Sequence, residues 1–447
     1  MTLSAEQARE LARRAVSLTH ADAAEALVSS EDAALTRFAD NRIHQNVAER
    51  DTSISVRAVV GQRIGVATTN RLDDASLAAC CDRAVAAAKI APADSDFPGL
   101  PAAAAVTTPD RINPSVRSFD ADARAHAAAA IIEQSAERDL TAAGTVSATE
   151  YVVAVANSRG VDVGMGVTTV RSTVLSMSPN GGSGWASHLS GGANGFAPEA
   201  LGDEAALLAM RSEGATSLDP GVYTVVLAPE AVSDVLDFLG YLGFGAKAFA
   251  EGSSFLTDRI GEQLFSPMIS IADDALNPET LGLTFDFEGM PKSRTPLAER
   301  GIVREPVTDS YWAAKLGIRN SGHALPAPNS YGPMPMNLEI AAGDARIEDM
   351  IGAVKRGVYV TRFHYVNVED PIRAVLTGMT RDGTFMIEDG HLTRPIKNLR
   401  FTQSAVEALS SVEAVGAQRT LIGPEEGGAN LAPALLLSRW EFTGQTR

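Results

Sequence analysis

From Ala24 to about Thr69, and again from Gly144 to Met177, apolar and polar residues alternate with a period of two. This pattern constrains the fold more than any other feature. Ser53-Ile54-Ser55-Val56-Arg57-Ala58-Val59 is one such segment; a side chain on each face in turn marks a half-buried strand. Turn signals at Asp40-Asn41 and Gly61-Gln62 divide the first region, and Asn157-Ser158-Arg159-Gly160 divides the second as a hairpin. The expected unit is an antiparallel meander.

Helical segments flank these strands. Leu3, Ala8, Leu11, Ala12, Ala15 and Leu18 recur at helical spacing behind Ser4, which opens an amphipathic helix. A second helix is expected from about Asp74 to Ile90, with Asp73 or Asp74 as its cap, and a third from about Asp120 to Asp139. Ala91 to Asn113, rich in Ala, Pro and Asp, reads as a long surface connection. The glycine-rich stretch Pro179 to Gly195 reads as a flexible loop leading to a helix near Pro198 to Glu213. Beyond it short strands dominate, among them Leu283 to Gly289, interrupted by helices near Ala231 to Leu242 and Arg346 to Ile351. The fold class is therefore α+β: an N-terminal helix and antiparallel-meander domain over 1–217, then a β-rich, barrel- or sandwich-like C-terminal domain over 218–447.

With 447 residues, two domains are the natural expectation, and 45% hydrophobic with 21% charged residues is a globular composition. A formal net charge of −17, without a Lys/Arg stripe, argues against direct nucleic-acid binding. No apolar run reaches membrane-spanning length, so no membrane association is expected. The cysteines, Cys80 and Cys81, adjoin on a helix and point about 100° apart. They read as buried small hydrophobes in a reducing, cytoplasmic setting.

Candidate chemistry is sparse. The glycine-rich stretch has neither the Walker Lys-Ser/Thr nor a dinucleotide fingerprint; Trp185 and His188 inside it are candidates to touch a partner or substrate. His20, His44, His126, His188, His323, His364 and His391 include no i, i+4 pair for zinc. His364 falls on a strand among aromatics and reads as structural, whereas His323, in the turn-like Asn320-Ser321-Gly322-His323, is placed to point into a cleft. Asp273-Asp274 and Asp286 with Glu288 are the candidate acid pairs; Asp286 and Glu288 would face one side of a strand, although the Glu288-Gly289-Met290-Pro291 signal favours a hydrogen-bonded turn. No Gly-x-Ser-x-Gly elbow occurs.

The order of motifs in the C-terminal half carries a resemblance. Gly252 to Asp274 holds a Ser-Phe start, a Gly-Glu pair and Asp273-Asp274, and is followed by the acidic turn at Glu288-Gly289 and the Leu297 to Gly301 strand entry. Then come Asn320-Ser321-Gly322-His323, an element with Asn337, Gly343 and Asp344, and a strand, Glu388-Asp389-Gly390 turn and strand. Over roughly residues 220 to 420 this resembles the TldD/PmbA family of peptidase subunits. In the TldD branch a helix just before the Ser-Phe element carries His-Glu-x-x-x-His, and a late Cys completes a zinc site. Here no His lies between Leu227 and Leu256 and no Cys lies beyond Cys81; that helix offers Val232, Val235, Leu236 and Leu239 as an apolar stripe. The chain therefore resembles the TldE/PmbA branch.

The resemblance implies a non-hydrolytic subunit of a heteromeric zinc peptidase, with no catalytic or metal-ligating residue of its own. Zinc and the general base would come from a TldD-type partner. Substrates would be unfolded or short peptides, including precursors of peptide natural products, and a two-fold dimer is implied. Asn320, Ser321, His323, Asn337 and His364 are the expected substrate-binding residues. One alternative is a stand-alone hydrolase using Asp273, Asp274, Asp286 or Glu288 with His323. Another is a regulatory peptide-binding protein, since family members have been linked to DNA gyrase modulation; the acidic charge makes any such link indirect.

Overall fold

The computed structural model describes residues 2–423 and 428–445. Helix α1 (Ala5–Leu18) starts in a capping box: the Gln7 amide donates to the Ser4 hydroxyl, and the Ser4 amide to the Gln7 side chain. Strands β1 (Ala23–Ala39), β2 (Arg42–Val60) and β3 (Arg63–Thr69) form the meander. Asp40 and Asn41 take φ of 50° and 58°, the left-handed geometry a two-residue hairpin needs. Then follow α2 (Asp74–Ile90), capped by Asp73, α3 (Pro114–Ser118), α4 (Ala121–Ala136), β4 (Thr141–Asn157), β5 (Asp162–Met177), β6 (Ser183–Ser190) and α5 (Pro198–Arg211).

The sheet runs β3-β2-β1-β4-β5-β6, antiparallel throughout. Even-numbered side chains of β1, β2, β4, β5 and β6, and odd-numbered ones of β3, face the helices. Ala26, Val28, Val152 and Ala154 pack with α1 and α2, in a core that also takes Cys80 and Cys81. Further along, Phe38 and Val146 pack with α4 and α5. On the odd face, Leu27, Val153, Val155 and Met165 are covered by Phe285 from the C-terminal half. Beyond that patch Ala33, Leu35, Val47, Ser147 and Thr149 are left half-buried.

The glycine-rich stretch is not a flexible loop through its length. Ser183–Ser190 is the edge strand β6, with Trp185 opposite Leu175. A Cβ on Gly182 or Gly184 would lie 2.2 Å from the carbonyl oxygens of Ala209 or Ala205 on α5, so these glycines serve close strand–helix approach.

The C-terminal half begins with β7 (Gly221–Leu227), α6 (Pro229–Leu242) and α7 (Ala246–Ala250). Next come β8 (Ile271–Asp273), β9 (Thr295–Glu299), β10 (Ile302–Val303), α8 (Ser310–Leu316), β11 (Leu338–Ile340) and α9 (Ile347–Ala353). It ends with β12 (Arg356–Asp370), β13 (Val375–Glu388), β14 (His391–Pro395), β15 (Leu399–Ser404), α10 (Ala405–Ser410), β16 (Val412–Ile422) and β17 (Asn430–Gln445). Sheet order is β10-β9-β8-β11-β17-β15-β13-β12-β7, and β7 also pairs with β17. That pairing closes β17-β15-β13-β12-β7 into a ring, which removes their free edges. Of the two C-terminal forms expected, barrel or sandwich, the ring is barrel-like. Leu283 to Gly289 is not a strand: it is a turn held by one bridge, Phe285 to Pro291, because Asp286 draws the backbone around itself.

Candidate functional site

Helix α6 is the segment that the sequence resemblance sets against the metal-bearing helix expected of the TldD branch. Its apolar stripe, Ala231, Val232, Val235, Leu236 and Leu239, is at most 3% exposed and packs into the main C-terminal core. The opposite face carries Glu230, Asp234 and Asp237 at i, i+4 and i+7, one row on a helix surface. Each acid is held by a different element. The Ser187 hydroxyl of β6 donates to Glu230. The Phe363 amide of β12 donates to Asp234 at 3.3 Å, and the Asn430 side chain of β17 donates to Asp237 at 2.6 Å. Arg362 lies over the Trp185 ring, 4.1 Å from its centroid, and approaches Asp382 at 3.5 Å as an ion pair whose Nε makes no hydrogen bond. Asp382 also accepts from the Ser183 hydroxyl at 2.7 Å.

The electrostatics follow from crowding acids in a confined place. Burial, reinforced by Glu230 and Asp237 and opposed by Arg362, pushes Asp234 up to about 8. Burial pushes Asp237 up to about 6 against its Asn430 hydrogen bond, and raises Glu230 against Ser187 and Arg362. Burial, then Arg381 and Arg362, lowers the neighbouring His364. These residues do not fit a zinc ion. The helix offers carboxylates already bonded to a hydroxyl, an amide and a carboxamide, with a guanidinium beside them that repels a cation. Among the described residues no group of three or more His, Cys, Asp and Glu has metal-holding geometry.

The expected site residues fall in two places. Ser321, His323 and Asn337 join one buried network with Asp273. His323 is 1% exposed; its Nδ1 lies 2.9 Å from the Ser321 hydroxyl, and its Nε2 approaches Asp273 at 3.1 Å without hydrogen-bond alignment. The other Asp273 oxygen accepts the Met336 and Asn337 amides at 2.7 Å, and Ser321 accepts the Thr308 amide. Burial would raise Asp273, but Lys292 and His323 outweigh it and hold the carboxyl well below its ordinary value. The Asn337 side chain donates to the Thr280 carbonyl. Half-buried Asn320 donates to the Ser310 hydroxyl and accepts the Gly322 amide. Ser321, His323 and Asp273 line up as in a hydrolytic triad, but the ring is turned the other way, with Nδ1 toward the serine and Nε2 toward the aspartate. The buried Ser321 hydroxyl is bonded to Thr308, so the arrangement pins loops to β8.

His364 is not part of that network; it lies on β12 beside Arg362, next to the 76% exposed Tyr365 at φ 54°. Asp286 accepts the Glu288, Met290 and Ala324 amides at 2.9 Å, the hydrogen-bonded turn, and burial with Glu288 pushes it up to about 7. Asp274 accepts the Leu276 and Asn277 amides. His188 bonds Ser190 and stacks on Phe196. Sequence reasoning missed Glu230, Asp234, Asp237, Arg362 and Asn430. The acid spacing on α6 was the available signal.

Comparison with known proteins can now be set beside this geometry. The model of the PmbA/TldA metallopeptidase C-terminal domain matches residues 220–444, and that of PmbA/TldA metallopeptidase domain 1 matches residues 24–88. A metalloprotease TldD homologue of Haemophilus influenzae is 30% identical over 166 residues, 36% of this chain and 34% of that protein. A metalloprotease of Methanothermobacter thermautotrophicus is 27% identical over 270 residues, 58% of this chain and 59% of that protein. Metalloprotease PmbA of Escherichia coli O157:H7 is 24% identical over 222 residues, 49% and 46% of the two. The matches thus span from 34% to 59% of these relatives. The crystal structure of TldE from Thermococcus kodakarensis matches with a TM-score of 0.86 at 18% identity, covering 97% of this chain and 99% of that one. A Thermotoga maritima protein described as a modulator of DNA gyrase gives 0.86 at 17% identity, with the same coverage. Fold and sequence together define a metallopeptidase-family protein built on two sheets. The chain belongs to the PmbA/TldD family.

Proposed function

We propose that this chain is the non-hydrolytic, TldE-like subunit of a heteromeric zinc peptidase, working beside a TldD-type partner that holds the metal. One observation carries the reading: the helix that bears zinc ligands in the TldD branch here has a row of carboxylates tied to Ser187, Phe363 and Asn430. Laying the His-Glu-x-x-x-His spacing on Pro229 to Asp234 aligns its Glu with Glu230 and replaces both imidazoles, by Pro229 and Asp234. A prolyl nitrogen cannot bind a metal, and Asp234 is largely protonated at neutral pH.

The chain divides into 1–217 and 218–447 in this reading. The uncovered odd face of the first sheet serves as a wall of a chamber that admits unfolded or short peptides, natural-product precursors among them, in the cytoplasm. His364, beside Arg362, is the expected substrate contact we retain; Asn320, Ser321, His323 and Asn337 shape the loops around β8 instead.

Expression of the chain alone and with its TldD-type partner tests the proposal. The pair should co-purify, zinc should track the partner, and unfolded peptide should be cut only when both are present. Stoichiometric zinc in the isolated chain, with zinc-dependent cleavage, would overturn it.

A further inference from the structure

The peptidase reading leaves unused a cleft of about 570 Å³ between β3, the connection after α2, and the segment around α8. Its volume is in the range of small-ligand sites. Val66, Phe97 and Trp312 supply an apolar wall, and Arg57, Glu288 and Asp309 line it with charge. The two acids are each 8% exposed.

The charge in this region does not balance. Arg57 is held by Glu25 at 2.8 Å and by Glu288 at 3.1 Å, so two carboxylates already share one guanidinium. Asp309 adds a third. One of its oxygens accepts the Trp312 amide at 2.8 Å as the cap of α8; among the described residues no side chain hydrogen-bonds it, and Arg57, already shared by two acids, is the cation that acts on it. Asp286 lies behind, bonded to three backbone amides. Of the nearby lysines, Lys315 pairs with Asp96, whereas Lys247 lines the cleft, donates to the neutral Ser330 carbonyl and keeps its charge; with Arg57 it still leaves the acids Glu25, Glu288, Asp309 and Asp286 in excess. A buried charge without a counter-charge is costly, and a cation entering here would remove that cost.

We propose that the cleft binds an organic cation, a guanidinium or primary ammonium on an apolar stem, as in an arginine or lysine side chain. Asp309 and Glu288 receive the cationic head, and the Val66, Phe97 and Trp312 wall covers the stem. Burial pushes Glu25 up to about 7 and Asp309 up to about 6, a strain that an arriving positive charge relieves. This site goes beyond the peptidase reading and does not depend on it.

Calorimetric titration of the full chain with Nα-acetyl-arginine amide, against the neutral isostere Nα-acetyl-citrulline amide, provides the test. The arginine probe should saturate one site and bind at least about tenfold more tightly than the citrulline probe. Asp309→Asn keeps an accepting cap for α8 and should weaken the arginine probe by about tenfold, leaving the citrulline probe unchanged. Val66→Lys, which adds a second lysine to the cleft beside Lys247, should abolish arginine binding while the melting curve stays cooperative. Equal affinity for the two probes would overturn the proposal. So would absence of saturation by arginine to about 10 mM, or undiminished binding in Asp309→Asn.

Discussion

Replacing Asp234 by Asn should stabilise the protein, and increasingly so as pH rises. The unfolded carboxyl ionises near 3.8, whereas in the folded chain burial beside Glu230 and Asp237 holds it protonated up to about 8. Between these values the native state binds more protons than the unfolded state, so stability falls as pH rises through the window and levels off above it. At about 1.4 kcal/mol per pH unit, the full penalty at pH 7 would be on the order of 4 kcal/mol. Asp234 keeps partial water contact, and screening reduces this to roughly 2 kcal/mol. Asn retains an oxygen for the Phe363 amide and carries no charge to desolvate. Urea unfolding of both proteins at pH 5, 6, 7 and 8 measures the gap. It should widen steadily in favour of the variant and shrink toward zero near pH 4. A gap that stays constant across this range, or a wild type that gains on the variant as pH rises, would refute the reasoning.

Other consequences can be checked independently. Arg57→Met leaves Glu25 and Glu288 buried without their cation and should cost roughly 3–5 kcal/mol in thermal or urea unfolding; a loss below about 1 kcal/mol would show that the acids neutralise themselves. Gly65→Ala places a methyl 2.2 Å from the Ala84 carbonyl and the Ala88 amide of α2, so β3 and α2 must separate at a cost of about 1–3 kcal/mol, visible as faster amide exchange in α2. Asp73→Ala removes the cap that accepts the Ser76 amide and should lower stability by about 1 kcal/mol, while Asp73→Asn should not.

The sequence made some parts of this molecule legible and hid others for physical reasons. The meander, its Asp40-Asn41 turn, the caps at Ser4 and Asp73, and the apolar stripe of α6 are set by local periodicity and local hydrogen bonds, which neighbouring residues encode. The polar row on α6 acquires its character from Ser187, Phe363 and Asn430, which reach it from three distant strands. Composition misled at the glycine-rich stretch. Gly182 and Gly184 are small because α5 lies against them, a demand indistinguishable in one dimension from a demand for flexibility. Leu283 to Gly289 alternates like a strand, but three amides converge on Asp286 and curl the chain. The ring of β17-β15-β13-β12-β7 depends on a pairing between the first and last strands of the C-terminal half, which no local pattern encodes.

The patch of Leu27, Val153, Val155 and Met165, sealed by Phe285, also sets a schedule for synthesis. All six strands of the first sheet leave the ribosome by Ser190, and the residue that covers them follows about a hundred positions later, on the order of 5–20 s at ordinary elongation rates. During that interval the nascent sheet displays bare valines and a methionine to the cell.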